Sequence, residues 1–264
     1  MNSSMVNRQS TMAALAVIPA RYASTRLPGK MLADRTGKPL IQHVWERAKL
    51  AKKVDRVIVA TDDQRILDAV KRFGGEAVMT RADHPNGTSR IAEAVANLKP
   101  QASANRKPAD IIVNVQGDEP DLDPALIDLA VDTLIAHPEC PVATIASPFA
   151  AGEDPANPNI VKVVIDRSGR ALYFSRALIP CNRDGSAAAA GPLKHVGLYV
   201  YRRAFLPVYV GLPAAPLEQA EKLEQLRMLE HGHAIAVAVA EAHHHGIDTP
   251  EQYEAFVQRT STRR

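Results

Sequence analysis

From residue 13 onward, short apolar runs alternate with longer segments whose apolar residues recur every three or four positions. The runs are residues 15–19, 56–60, 77–79 and 110–115. They are brief, and residues 110–115 have almost no polar face, as expected for the middle of a parallel sheet. Between them, residues 39–51, 63–73, 88–98 and 124–137 carry helical spacing. Ile66, Val70 and Phe73 share one face, as do Ile91, Val95 and Leu98. Two of these segments open with proline, whose missing N–H would have no partner in a first helical turn. Gly74 and Gly75 stop the second. The alternation predicts an α/β fold built on a Rossmann-like, mostly parallel sheet.

Past about residue 140 the rhythm changes. Residues 142–146, 161–165 and 196–201 read as strands set between long loops. Residues 182–192, with Gly, Ser and an alanine run, read as a mobile excursion. Residues 218–231 read as one helix, 234–240 as an alternating strand and 250–258 as a closing helix. The expected organisation is one domain over 13–260 after a disordered extension at 1–12. Residues 140–215 form an inserted, smaller β-containing subdomain within it. There is no internal repeat.

Composition narrows the class. Apolar content of 46% and charged content of 23% in 264 residues are ordinary for a globular protein with a sizeable core. The net charge of +3 is too small for bulk nucleic-acid binding. No apolar run approaches a membrane span, and the first dozen residues lack a signal-peptide core. Cys140 and Cys181 stand far apart without metal-ligand spacing, which suits a reducing cytosol. His243, His244 and His245 are adjacent, so in an extended chain their side chains would alternate instead of converging on a metal. A surface loop is expected there. The cations Arg259, Arg263 and Arg264 read as a solvated tail.

The candidate chemistry sits at strand ends. RYASTRLPGK, directly after the first run, packs Arg21, Arg26 and Lys30 into one loop with Ser24 and Thr25. Ligands of open α/β sheets bind beyond the carboxyl ends of the strands, where this loop and Gln116-Gly117-Asp118-Glu119 both fall. Lys30 after Gly29 is not a P-loop, because Ser24 and Met31 occupy positions that motif reserves for Gly and for Ser or Thr. No GxGxxG occurs. What remains is a basic hydroxyl-rich loop suited to phosphate, or else a solvated one. Thr88 fits a helix cap after Gly87, and Asp248 fits a cap before Pro250.

In order along the chain come PARYASTRLPGK, HPNGTSRIAEA, VQGDEP, VKVVIDRSGRALYFSRALIP, KHVGLYVYRRAFL, LEQLRMLEHG and GIDTPEQYEAF. Together, over nearly the whole chain, they resemble the 3-deoxy-manno-octulosonate (Kdo) cytidylyltransferases, the CMP-Kdo synthetases of lipopolysaccharide assembly. The resemblance implies a sugar-nucleotidyltransferase fold, CTP and Kdo as substrates, Mg²⁺ as cofactor, and a cytosolic homodimer pairing through 140–215. It implies that Arg21, Ser24, Arg26, Lys30, His84, Gly87, Thr88, Arg90 and Gln116 bind the nucleotide. Asp118 and Asp248 would hold the metal, and Arg21, Lys30 and the two aspartates would carry catalysis. His195, Tyr199, Glu221, Glu224 and Gln225 would bind the sugar, the last three from one face of the 218–231 helix. A solvated helical face is the other reading of Glu221. Asn86, Ser89, Leu178 and Cys181 depart from the family pattern, which leaves another acid sugar, 8-amino-Kdo or a sialic acid, as the alternative substrate. A non-catalytic nucleotide-binding regulator is the alternative from another class.

Overall fold

The computed structural model describes residues 13–98, 109–185, 191–242 and 246–262. The first half folds as the apolar pattern predicts. Strands β1 (Ala14–Ala20), β2 (Arg56–Thr61), β3 (Glu76–Met79) and β4 (Ile111–Asn114) lie parallel in the order β3-β2-β1-β4. Helices α1 (Leu40–Lys49), α2 (Gln64–Arg72), α3 (Gly87–Asn97) and α4 (Pro124–Ala136) connect and cover them. Alternate residues of β1 feed different cores. Ala14, Ala16 and Ile18 pack with Ile41 and Val44 of α1, Ile66 of α2 and Ile127 of α4, whereas Leu15 and Val17 pack with Ile91 and Val95 of α3.

The second half completes the same sheet. Strands β5 (Val142–Pro148), β6 (Lys162–Ile165), β7 (Ala171–Ser175), β8 (Leu193–Arg202) and β9 (Ile235–Val239) follow, with β8 antiparallel between β4 and β5, and β9 parallel to β5 at the far edge. The hairpin β6–β7 lies off this path and joins through β6 to the start of β8. Where β8 passes β5 the register slips: Thr144 faces Tyr199, but Ile145 faces Val196. Two β8 residues, Gly197 and Leu198, bulge out. The Thr144 hydroxyl lies 2.7 Å from the Leu198 carbonyl and 3.3 Å from that of Val196, filling the gap that the lost ladder leaves.

Three elements depart from the sequence reading. Strand β7 and helix α5 (Leu206–Gly211) are additional. The expected 218–231 helix is two pieces, α6 (Pro216–Glu221) and α7 (Gln225–Glu230). Lys222 takes a left-handed conformation with φ 54° and stops α6. The guanidinium of Arg176, beside β7, then satisfies the carbonyls that end the helix, donating to Glu221 O at 2.7 Å and Lys222 O at 3.4 Å. Helix α8 (Pro250–Thr262) closes the chain, with Tyr253 and Phe256 buried against Leu40 and Ile247. The expectations for residues 1–12, for His243–His245 and for Arg263 and Arg264 lie outside the described residues, as do residues 186–190 of the 182–192 excursion.

Candidate active site

Three chain segments meet at the carboxyl end of β1. The first is the basic loop. It folds back so that Gly29 N donates to Tyr22 O at 3.2 Å, and Gly29 has φ 69°. A side chain at Gly29 would lie 3.2 Å from the Tyr22 hydroxyl and 3.3 Å from its ring, so glycine suits the left-handed conformation and spares a tight contact. The Arg65 guanidinium stacks on the same tyrosine, 3.4 Å from its ring centroid. The second segment is Gln116-Gly117-Asp118, just beyond β4. A Cβ on Gly117 would come within 2.8 Å of Pro19 O and 3.2 Å of Met31 Sδ, so glycine here lets β4's exit loop press against that of β1. The third is Ile247-Asp248, clamped to the second by a 2.8 Å bond from Ile247 N to Asp118 O.

These contacts put Lys30, Asp118 and Asp248 together. Lys30 Nζ donates to Asp118 Oδ2 at 2.9 Å, Asp248 Oδ1 at 3.0 Å and Ile247 O at 3.0 Å. Arg26 pairs with the other oxygen of Asp248 at 2.8 Å. Asp248 is therefore not the cap of α8. That role falls to Thr249, whose hydroxyl accepts from Gln252 N while Gln252 Oε1 accepts from Thr249 N, a reciprocal pair three residues apart.

An open pocket of about 280 Å³ lies over this cluster. Arg21, Ser24, Arg26 and Lys30 line it from the basic loop, and Gln116, Asp118 and Asp248 from the facing segments. His84, Gly87 and Arg90 line it from the start of α3. Arg90 is buried and aimed by two fixed partners, Asp62 Oδ2 at 2.7 Å and Thr80 Oγ1 at 2.7 Å. His84 is held by Glu93. Thr88 is neither the cap of α3 nor a lining residue. Asn86 caps the helix by accepting from Ser89 N at 2.9 Å, and the Thr88 hydroxyl turns away to Glu224 Oε1 at 3.1 Å.

Thr88 thereby opens a second, largely buried polar cluster on the α3 side of the sheet. His195 and Tyr199 of β8 are in ring contact at 5.3 Å between centroids, and Tyr199 stacks with Tyr201, which stacks with Tyr209 of α5. Tyr209 OH donates to Glu224 O at 3.0 Å. Glu224 Oε2 and Asn114 Oδ1 are buried with no hydrogen-bond partner among the described residues, and Gln225 is buried beside Glu224. Burial raises the Glu224 carboxyl above its ordinary range. Unpartnered buried oxygens in a cluster of hydroxyls and aromatic rings suit a polyhydroxy ligand that supplies the missing donors. The Gln116 amide connects the two regions. It lines the first pocket and donates to Gly197 O in the β8 bulge at 3.2 Å.

Glu221 does not join this cluster. The break at Lys222 separates it from Glu224 and Gln225, so the three share no helix face. Its carboxylate accepts from Ser175 Oγ at 2.6 Å and Arg176 N at 2.9 Å. Burial opposes its charge, but these bonds hold it below the usual carboxylate range. It ties α6 to β7. Sequence reasoning also passed over Asp62, Thr80, Asn114 and Thr144. Asp62 directly follows β2, so the strand-end rule that found Arg21 and Asp118 reaches it too.

The cytidylyltransferase family profile matches residues 15–235. A 3-deoxy-manno-octulosonate cytidylyltransferase of Syntrophobacter fumaroxidans is 53% identical over 241 residues, covering 91% of this chain and 94% of that protein. One of Syntrophotalea carbinolica is 52% identical over 247 residues, covering 91% and 95%. The chain belongs to the 3-deoxy-manno-octulosonate cytidylyltransferase family. A solved CMP:2-keto-3-deoxy-manno-octonic acid synthetase, complexed with CTP, superposes with a TM-score of 0.87 at 45% identity, covering 95% of this chain and 99% of that one. The fold is shared more widely: 4-diphosphocytidyl-2C-methyl-D-erythritol synthase of Anaerococcus prevotii superposes at a TM-score of 0.58 with 14% identity. The blocks that carried the resemblance to Kdo cytidylyltransferases surround both the basic pocket and the buried polar cluster.

Proposed function

We propose that this chain joins CTP and Kdo to give CMP-Kdo and pyrophosphate, activating Kdo for lipopolysaccharide assembly. The observation that carries this is the pocket itself. Its basic loop, Arg90 and paired aspartates sit at the carboxyl ends of the parallel strands, on a fold that superposes along its length with a synthetase complexed with CTP. In the proposed reaction the anomeric 2-hydroxyl of Kdo attacks the α-phosphorus of CTP, losing its proton as the new P–O bond forms. The bond to pyrophosphate breaks on the opposite side. Charge grows on the α-phosphoryl oxygens and on the leaving pyrophosphate, and Arg21, Arg26 and Lys30, which line the pocket, would stabilise it. Ser24 and the Gly87 backbone give the nucleotide close polar contact. The cluster of Tyr199, His195, Glu224 and Gln225 would receive the sugar, Glu224 Oε2 accepting from a hydroxyl.

We propose Mg²⁺ as the cofactor. Among the described residues no cluster of three or more acidic, His or Cys side chains forms a self-sufficient metal centre. Two carboxylates held by one ammonium fit a different kind of site: Mg²⁺ commonly takes one or two protein carboxylates and completes its shell with phosphate and water. Asp118 and Asp248 would hold it. When bound it would supply Lewis-acid polarisation of phosphate oxygens.

The test is pyrophosphate release from CTP with a panel of sugar acids. Kdo is expected to be the preferred acceptor, and preference for a sialic acid or 8-amino-Kdo would replace this reading. No release with any sugar acid would leave the regulator reading. Two of the unusual residues have a local explanation without any change of sugar, since Asn86 and Ser89 bond each other at the start of α3. Leu178 and Cys181 are exposed and line neither region. In the same assay Asp118→Asn and Asp248→Asn should each lose on the order of 10²-fold or more in kcat. The double variant should lose little beyond either single, because both residues serve one site. Wild-type turnover in Asp248→Asn would remove that residue from the machinery.

Two further parts of the reading are assembly and location. We propose a homodimer paired through the 140–215 region, on the strength of exposed apolar side chains there, Leu172 on β7, Leu178 just beyond it and Val208 on α5. Cytoplasm is the proposed compartment. Cys140 and Cys181 are unpaired, and no helix among the described residues is long and apolar enough to cross a membrane.

A further inference from the structure

The position of Lys30 conflicts with its simplest role. An ammonium has three N–H donors, and all three are committed, to Asp118, Asp248 and the Ile247 carbonyl, at 2.9–3.0 Å. Lys30 is also buried, with 10% of its side chain exposed. In this arrangement it has no donor left for a phosphate oxygen. Both carboxylates are tied to it, Asp118 through one oxygen and Asp248 through one of two. Arg26 takes the second oxygen of Asp248, so two cations and two anions form a neutral group. Such a group exerts no net attraction on a divalent cation, and the ammonium occupies the space between the carboxylates that the cation would need.

We infer that Lys30 is a resident counter-ion of the Asp118–Asp248 pair, displaced when nucleotide phosphate draws it away, so that metal and nucleotide bind as one coupled event. The inference rests on the proposed metal role of the two aspartates. The geometry allows the exchange. The backbone of Lys30 is pinned by the turn around it, with Leu32 N bonded to Gly29 O at 2.8 Å and Ala33 N to Lys30 O at 3.1 Å. The four-carbon side chain can swing without moving the loop. Lys30 lines the same pocket as Arg21 and Ser24, so an incoming triphosphate offers charged acceptors within its sweep. Each partner then helps the other. Phosphate frees the carboxylates for the cation, and the cation replaces the charge that Lys30 withdraws. By linkage the enhancement is equal in both directions.

Mn²⁺ alone serves as the probe, titrated into the nucleotide-free, full-length protein and followed by the loss of its free electron paramagnetic resonance signal. Wild type, Lys30→Met, Lys30→Gln and Lys30→Met/Asp118→Asn are compared. Removing the counter-ion should tighten Mn²⁺ binding about tenfold or more, within the usual span of allosteric coupling. Adding Asp118→Asn should abolish that gain. Lys30→Gln keeps a neutral donor for the carboxylates and carries the test if Lys30→Met does not fold. Unchanged or weaker binding in the folded Lys30 variants, with Mn²⁺ still lost on Asp118→Asn, overturns the counter-ion inference and leaves the metal site standing. Mn²⁺ binding indifferent to Asp118→Asn overturns the metal site itself.

Discussion

Thr144 decides the protonation of His195. Its single hydroxyl proton faces the Leu198 carbonyl at 2.7 Å, a group that can only accept. His195 Nε2, 2.9 Å from the same oxygen, must therefore donate, which leaves Nδ1 without its proton. Burial reinforces this neutral form and pushes the imidazole down to about 3. An unfolded histidine titrates near 6.5. The unfolded chain thus gains a proton that the folded chain refuses as pH falls from about 6.5 towards 3. This contribution is present in full above 6.5 and is lost on acidification. Its slope is at most about 1.4 kcal/mol per pH unit for one proton, and less to the extent that solvent reaches the ring. Urea unfolding at pH 7.5, 6 and 4.5 should show wild type losing stability faster than His195→Gln, whose amide preserves a donor. Parallel curves would mean that His195 titrates normally. At this scale, strand-end position made Arg21, Lys30 and Asp118 legible. Asp62, which holds Arg90, was within reach of the same rule, whereas Thr144 meets His195 only through the pairing of β5 with β8, which no local pattern marks.

Among the elements, the break between α6 and α7 shows where pattern fails. Apolar spacing runs unbroken through 218–231, and nothing local marks Lys222, since lysine is a good helix former. The stop comes from Arg176, which reaches α6 from far back in the sequence and satisfies its final carbonyls. The left-handed conformation costs a residue with a Cβ about 1–2 kcal/mol. Lys222→Gly should remove that strain, and part of the gain should return through the more flexible unfolded chain. The expected net change is up to about 1 kcal/mol more stable by thermal unfolding, with Lys222→Val destabilised. If both variants melt together, the strain is absent. Strands β1, β2 and β4 were legible because they bury both faces, and the half-buried β3 because Gly74 and Gly75 stop the helix before it. Strand β7 was missed, although the turn Asp166–Gly169 before it is marked by a side chain that accepts from Ser168 N and Arg170 N.

For the whole molecule, the α/β class followed from the sequence, and the sheet order did not. Strand β8 runs antiparallel between β4 and β5, a pairing that no local periodicity encodes. The proposed dimer belongs to this scale. Static light scattering in dilute solution should give twice the chain mass, and Leu172→Glu, on the exposed face of β7, should shift it towards the monomer. A monomeric wild type would remove the dimer.

The insertion of β8 also bears on how the protein is made. A ribosome releases β1 to β4 long before β8, so the parallel half can assemble while one side of β4 still lacks its neighbour. That side belongs to Ile111, Ile112 and Val113, wholly buried once β8 arrives. An apolar edge left open invites pairing with other chains. Until β8 pairs with β4 that edge stays open, and the strand that covers it is the one carrying His195, Gly197 and Tyr199. Closing the sheet and bringing His195 and Tyr199 into the buried polar cluster are one and the same pairing.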